Sequence, residues 1–442
     1  MKRITMLFVV LLVMLAATGS LFAGGGTQPA GGTKPAPAAA AGPITLRGMH
    51  WTSSTAEQNR SNERFLEFTK ANPNIKIQFE WYPQGFAEKL TALFASNDAP
   101  DFFASYVGDL GDRVKKGFIK SLTPYFNKDG FDKNADLLPN AVVKFDGNVY
   151  GVVHVIQPQV LFYNKGLFDK AGVPYPTEKW TWQDMADAAK KLTVKDASGK
   201  IIQYGFQYDE YCRLWISHFQ SNGGQAFDNR DKPTKVTFNN DLGVASAQYL
   251  FDLVQSLNVS PPPGVAGVLG HRDSFANGIV AMILDGSWMN TQFAQKEGMK
   301  YGVALVPLGK VSRGGWIAPT HYAMSGKTKY PDQVWTYLKW WFSYDNSMSF
   351  SGYGDAIKSA GMPVWKSAYT DPKFKPDEQV SMIAKQVTYS VPDMTFQYFG
   401  TWYWDTLNVG LQEMVGNKIA PKTAIETIAQ RTQKNVLDEI GK

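Results

Sequence analysis

Indole and phenol rings beside acidic side chains are the groups in this sequence best suited to act on a ligand. The chain carries 13 Trp, 20 Tyr and 27 Phe, and aromatic residues make up 14% of it. A hydrophobic core does not need that much tryptophan. Flat rings cover the apolar C–H face of a sugar, while carboxylates, amides and guanidinium groups serve its hydroxyls. Trp51, Ser53 and Ser54 stand where an expected strand gives way to an expected helix, and helix-start N–H groups and hydroxyls favour ligand oxygens there. Ser54 reads equally well as a simple helix cap. Trp81 and Tyr82 end the next expected strand and could equally cover the sheet. Asp209 and Glu210 are adjacent, with Tyr211 and Trp215 close behind. A pair of acids for glycoside hydrolysis is a spatial arrangement, which adjacency in sequence does not establish. Of Trp402, Tyr403 and Trp404, a helix can direct at most one or two toward a cleft. Trp340 and Trp341 share a helical period with Val334, Leu338 and Phe342 and read as core.

Other chemistries are missing. There is no G-x-x-x-x-G-K-[ST] and no G-x-S-x-G. His50, His154, His218, His271 and His321 show neither H-E-x-x-H nor i, i+4 pairing, so no zinc site is expected. The single cysteine, Cys212, excludes an internal disulfide and a multi-cysteine metal site. No catalytic residue and no cofactor is implied. The net charge of +6 includes Lys2 and Arg3, and over a 442-residue chain it speaks for solubility, with no nucleic-acid footprint.

Lys2 and Arg3 precede an uncharged run from Met6 to Ala17, and Leu21-Phe22-Ala23 leads into Gly24-Gly25-Gly26. A charged start, a short apolar centre and a small exit residue describe a secretory signal peptide over residues 1–23. The run is shorter than the roughly 20 residues that span a bilayer. No cysteine stands at the cut, so no lipid anchor is expected. Residues 24–43 are almost entirely Gly, Ala, Pro and Thr and read as a flexible linker. The expectation is an exported, periplasmic protein that begins to fold near Ile44.

From there strands and helices alternate. Ile44 to Met49, Ile75 to Phe79 and Asp101 to Phe103 read as strands. Between them lie helical periods carrying Phe65, Leu66 and Phe68, then Phe86, Leu90 and Leu93. Such alternation predicts a parallel sheet covered by helices, with ligands at the carboxyl ends of the strands. That rim would hold Trp51 to Thr55, Trp81, Tyr82 and the stretch from Tyr106 to Asp109. Further on, Val160 to Tyr163, Ile201 to Phe206, Ile279 to Leu284 and Val303 to Val306 read as strands. Thr181-Trp182-Gln183-Asp184 reads as a capping box for a helix ending at Leu192. Helices are expected near 213–221, 241–257 and 331–341.

Several stretches occur together in a familiar order. Phe145-Asp146-Gly147-Asn148-Val149-Tyr150-Gly151-Val152 leads to Leu161-Phe162-Tyr163-Asn164-Lys165-Gly166-Leu167-Phe168. Phe275-Ala276-Asn277-Gly278 precedes Asp285-Gly286-Ser287-Trp288, and Gly416-Asn417-Lys418 comes before the last helix. The chain resembles the extracellular solute-binding proteins of family 1, the sugar-binding components of bacterial ABC importers. The resemblance implies an α/β, type II periplasmic-binding-protein fold: two lobes, each a mostly parallel sheet flanked by helices, joined by a three-segment hinge. It implies an N-terminal lobe from 44–155 and 306–347, and a C-terminal lobe from 156–305 and 348–442. It further implies a monomer that closes on a mono- or oligosaccharide and delivers it to membrane permease subunits.

Through the resemblance, Asp285, Trp288, Gly315 and Trp316 become site candidates, and one of Asp209 and Glu210 faces the cleft beside Trp215. Trp402 is the candidate from the terminal aromatic cluster. Two departures stand out. Val153 replaces a usual proline, and Tyr106 stands where many members carry aspartate, which points to Asp109 as a displaced recognition group. A secreted polysaccharide-active enzyme and a binder of a non-sugar solute are the competing readings. Arg213, Arg272 and Arg313 read as too scattered for an anion site.

Overall fold

Strand β1 (Ile44–Trp51) runs parallel to β2 (Ile75–Tyr82), with Ile44 opposite Ile75 and Trp51 opposite Tyr82. It also runs parallel to β3 (Phe102–Ser105), where Gly48 faces Phe102. A Cβ at Gly48 would stand 2.4 Å from the Phe102 ring, so the missing side chain is what lets the rings close over β1. The protein is seen as a computed structural model that describes residues 42–51, 55–82, 84–264, 269–317, 320–350 and 361–440. The expected signal peptide, nearly all of the linker, and the candidates Ser53 and Ser54 lie outside the described residues.

The remaining strands are β4 (Val142–Phe145), β5 (Asn148–Val152), β6 (Val155–Ile156), β7 (Gln159–Asn164), β8 (Val194–Lys195), β9 (Ile201–Gln203), β10 (Met282–Gly286), β11 (Tyr301–Ala304), β12 (Trp316–Ile317), β13 (His321–Met324), β14 (Met362–Pro363) and β15 (Val391–Pro392). The first large sheet has the order β2-β1-β3-β13-β5-β4. The helix Pro331–Trp341 lays Tyr337 and Trp341 on it, with Tyr337 centred 4.4 Å from Phe102 and Trp341 5.4 Å from Tyr322. The helix Thr55–Ala71 adds Phe65 and Phe68. The expected parallel β-α-β-α-β start and the core reading of Trp341 both match what is seen.

The second sheet is built on β7, whose apolar run is buried from Gln159 to Tyr163. Its neighbours β10 and β11 are both antiparallel to it. Parallel pairing in this sheet comes from single bridges, Tyr204 to Val280 and Gln207 to Ile283. Thr181 and Asp184 form the expected capping box, and the helix behind it ends at Leu192.

Three segments link the two halves, and they pair with one another. β6 lies antiparallel to β14, and Pro158 bridges Ile317. The Lys366 amide donates to Asp136 O (2.7 Å), and the Trp365 indole donates to Phe342 O (3.0 Å). Residues 362–371 therefore pack on the first half, where Trp365 and the 131–137 loop complete its aromatic core. Among the described residues, no helix is long and apolar enough to cross a membrane.

Candidate functional site

Strand β10 carries the site. It ends in Asp285-Gly286, and Trp288 folds back over the glycine: a Cβ at 286 would stand 2.0 Å from the indole. Trp288 remains partly exposed, and its ring centre is 5.5 Å from that of Trp316 at 37°. Trp316 arrives on a loop that needs two consecutive glycines with positive φ, Gly314 (61°) and Gly315 (91°). Buried Gln386 fastens this loop, accepting from the Val306 amide (3.0 Å) and donating to Gly314 O (3.1 Å). Gly315 thus acts through backbone shape, since a Cβ there would meet Gln386 and Val306.

A guanidinium lies against each indole. Arg213 sits 3.7 Å above the Trp316 ring and 5.3 Å from Trp404, and Arg272 is 5.8 Å from Trp288. Both cations are matched by carboxylates. Arg213 Nε is 2.8 Å from Glu210, whose other oxygen is 3.5 Å from Arg272. Arg272 forks onto Asp285 through Nε (2.6 Å) and Nη2 (3.0 Å). His271 lies between Asp209 and Asp285, 3.1 Å from each.

Burial alone would discharge His271, but its hydrogen bonds to the two aspartates prevail and raise its pKa to about 9. Burial would raise the Asp285 carboxyl, but the hydrogen bonds and charges of His271 and Arg272 prevail and hold it below the usual carboxylate range. Asp285 is 1% exposed, and both its oxygens are taken by His271, Arg272 and the Gly286 amide. It positions the cations and has no oxygen left for a ligand. Asp209 and Glu210 are the more open carboxylates, at 44% and 25% side-chain exposure.

From the first half, the Tyr106 hydroxyl donates to Asp393 across the cleft (3.4 Å). Burial raises the Asp393 carboxyl to about 6, against the opposing pull of Arg213 and of the Tyr106 hydrogen bond. Asp109 is tied to Arg113 at 2.8 Å, beside Gly108, whose backbone approaches Gly400. Lys232 reaches Asp146 at 3.1 Å, a second link between the halves. Trp51, Trp81 and Tyr82 make their contacts within the first half, in its sheet and with the helix that starts at Phe86. Trp51 meets Phe86 edge-on (5.2 Å), Trp81 packs between Phe79 and His50, and the Tyr82 hydroxyl donates to Glu80 (2.8 Å).

Two expected site residues belong to the core. Trp215 is fully buried, stacked on Phe219 (4.6 Å, 18°), with its Nε1 donating to Gly243 O. Its helix, Tyr211–Ser221, turns Arg213 to the site instead. Trp402 is also fully buried, among Phe227, Phe396 and Phe399. It lies in a π-helical turn, Thr401–Asn408, that leaves Trp404 partly exposed beside Arg213. Sequence reasoning missed His271 as an ion-pair partner, and it missed the seat of Arg213. The available signal was a His-Arg pair behind Gly270, at the start of a helix closely preceding β10.

A two-lobed α/β architecture with crossing segments and an aromatic, charge-balanced seam defines a cleft-binding receptor. The chain belongs to the bacterial extracellular solute-binding proteins, whose family model matches residues 52–348. An arabinooligosaccharide-binding protein of Bacillus subtilis is 28% identical over 323 residues, 71% of this chain and 70% of its own. The solved substrate-binding protein Lmo0181 of Listeria monocytogenes, in complex with cycloalternan, is 25% identical with a TM-score of 0.76, covering 88% of this chain and 98% of its own. UgpB of Mycobacterium tuberculosis, in complex with glycerophosphocholine, shares the fold at 16% identity and a TM-score of 0.74, covering 90% of this chain and 99% of its own.

Proposed function

We propose that this protein is an exported receptor that binds an oligosaccharide between its lobes and hands it, unaltered, to the permease of an ABC importer. The observation that carries this reading is the Trp288–Trp316 pair at the end of β10, edged by Asp209, Glu210 and Arg213. Stacked indoles offer an apolar platform to a pyranose or furanose face, and the open carboxylates accept from its hydroxyls. The oligosaccharide ligands of the Bacillus and Listeria relatives support the same class.

In this reading residues 1–23 direct export and are removed, residues 24–43 tether the folded part, and the protein acts as a monomer. The first lobe comprises 44–155 and 320–371, and the second comprises 156–317 and 372–442, since β12 pairs with β15 and the Val306 amide donates to Gln386. Closure brings Tyr106 and Asp146 of the first lobe onto Asp393 and Lys232 of the second. A thermal-shift screen over neutral oligosaccharides, with product analysis in parallel, tests the function. Stabilisation without turnover is the expected result. Released products would instead establish an enzyme, and no shift with any sugar would reject the ligand class.

A further inference from the structure

The loop that brings Trp316 to the site does not fix its own shape. Gly314 and Gly315 both take positive φ, and two glycines in a row leave the backbone more freedom than any other pair. The shape is imposed from the helix Glu378–Val387 through Gln386, which is 0% exposed. Its carbonyl and both of its N–H groups are used within this one unit. Oε1 accepts from the Val306 amide (3.0 Å), while Nε2 donates to Gly314 O and to the Ser390 hydroxyl (3.1 Å each). Glutamate in its place would lack both donors, and an apolar residue would leave a buried N–H and a buried C=O unpaired.

Ser390 opens the segment that carries the second lobe's side of the closure. Val391 lies opposite Trp316 and Pro392 opposite Ile317, in a parallel pair. The Val391 amide donates to Gly315 O (2.8 Å), and the Asp393 amide donates to Ile317 O (3.1 Å). Asp393 in turn accepts from the Tyr106 hydroxyl of the first lobe. The carbonyl of Pro392 accepts from Arg230, two residues before Lys232, which reaches Asp146 of the first lobe. The side-chain oxygen of Asn229 accepts from the amides of Asp231 and Lys232 (2.9 Å each), so Arg230 and Lys232 share one closed turn. Two contacts across the cleft therefore trace back to one short segment, and Gln386 clamps that segment to the loop of Trp316.

We infer that Gln386 is a positioning residue for ligand capture: it holds the Trp316 indole and the Asp393 segment as one piece, so that a ligand seated on the indole sets the stance of the contacts that close the lobes. The inference rests on the function proposed above and names the residue through which occupancy reaches closure. A side chain with no exposed surface offers nothing to a ligand, so its influence on affinity must travel through Trp316.

The test is a mutant cycle read by titration calorimetry, with maltotriose, an arabinotriose and a galactotriose as probes. The sugar that the wild-type chain binds is carried into Gln386→Met, Trp316→Ala and the double variant. The ligand-free melting temperature and the radius of gyration at saturating sugar are recorded for each. Methionine keeps the length of the side chain and removes its hydrogen bonds. Gln386→Met should lose about five- to thirtyfold in affinity, and should contract less than the wild-type chain at saturation. In the Trp316→Ala background the same change should cost less than about twofold. Wild-type affinity and full contraction beside a lowered melting temperature would make Gln386 purely structural, which overturns the inference and leaves the sugar receptor standing. A loss that adds in full to that of Trp316→Ala overturns it as well, because the effect would then bypass the indole. If Gln386→Met does not fold, Ser390→Ala, which takes one partner from the clamp, carries the same cycle with an expected loss of about two- to fivefold. Absence of binding to every probe by the wild-type chain overturns the proposed function and this inference together.

Discussion

The two halves of the molecule bury different things. The first packs aromatic rings and keeps two buried histidines neutral: burial lowers His50 and His154 to about 3. The second buries a charged chain, Asp209-His271-Asp285-Arg272-Glu210-Arg213, and rests its two site indoles on it. An apolar core is a stable frame with little directional information. An ion network is costly to assemble but fixes the orientation of each member. In the function proposed above, this contrast makes the second half the recognition wall and the first half the partner that closes over it.

The largest effect that would break this contrast comes from the network's centre. Asp285→Ala leaves His271 and Arg272 without the carboxylate between them. Removing one partner from such a buried set costs about 3–5 kcal/mol, toward the lower end here because the Arg272 side chain is 40% exposed. Denaturant unfolding of the ligand-free protein should show the loss, and a change under about 1 kcal/mol would mean the network is not what holds the wall.

The pH dependence should single out the network, because burial lowers His50, His154 and His218 whereas the two aspartates raise His271. His50 and His154 bind protons more readily when unfolded, so their contribution is complete above pH 6.5 and is lost as pH falls toward 3. His271 behaves in reverse. Its contribution, on the order of 3 kcal/mol, is complete below pH 6.5 and is lost as pH rises toward 9. Unfolding followed from pH 4 to 9.5 should fall at both ends, and His271→Gln should abolish the alkaline fall alone.

Tyr106→Phe removes one hydrogen bond between the lobes and nothing from either core. Ligand affinity should weaken about two- to tenfold with an unchanged ligand-free melting temperature. The smallest effect belongs to the first half's exposed pair, Arg47 with Asp98 at 2.6 Å, where side-chain exposures are 33% and 62%. Asp98→Ala should cost less than about 1 kcal/mol, in contrast to Asp285→Ala.

Much of the frame is legible in sequence because its signals are local. An alternating run marks β2, short apolar runs mark β1 and β3, and Thr181 with Asp184 marks a helix start. Trp288 is legible as a site candidate through the Gly-Ser turn before it. The misplaced residues fail for reasons of rotation and distance. Trp215 and Arg213 lie two positions apart on one helix, and only the packing of Phe219 and Phe238 decides which of them faces inward. Trp402 and Trp404 are separated by a π-helical turn that no residue type announces. The partnership of His271 and Asp209 joins residues 62 apart in sequence, and spacing carries no trace of it.

The central claim is that the second half's indole wall holds the ligand while the first half's tryptophans hold a sheet together. It is tested by calorimetric affinity for a neutral oligosaccharide in Trp288→Ala beside Trp81→Ala. Trp288→Ala should lose about 2–4 kcal/mol of binding, roughly 30- to 1000-fold, while Trp81→Ala keeps its affinity within about threefold and loses melting temperature instead. Equal affinity in Trp288→Ala and the wild-type chain, or a loss confined to Trp81→Ala, would contradict it.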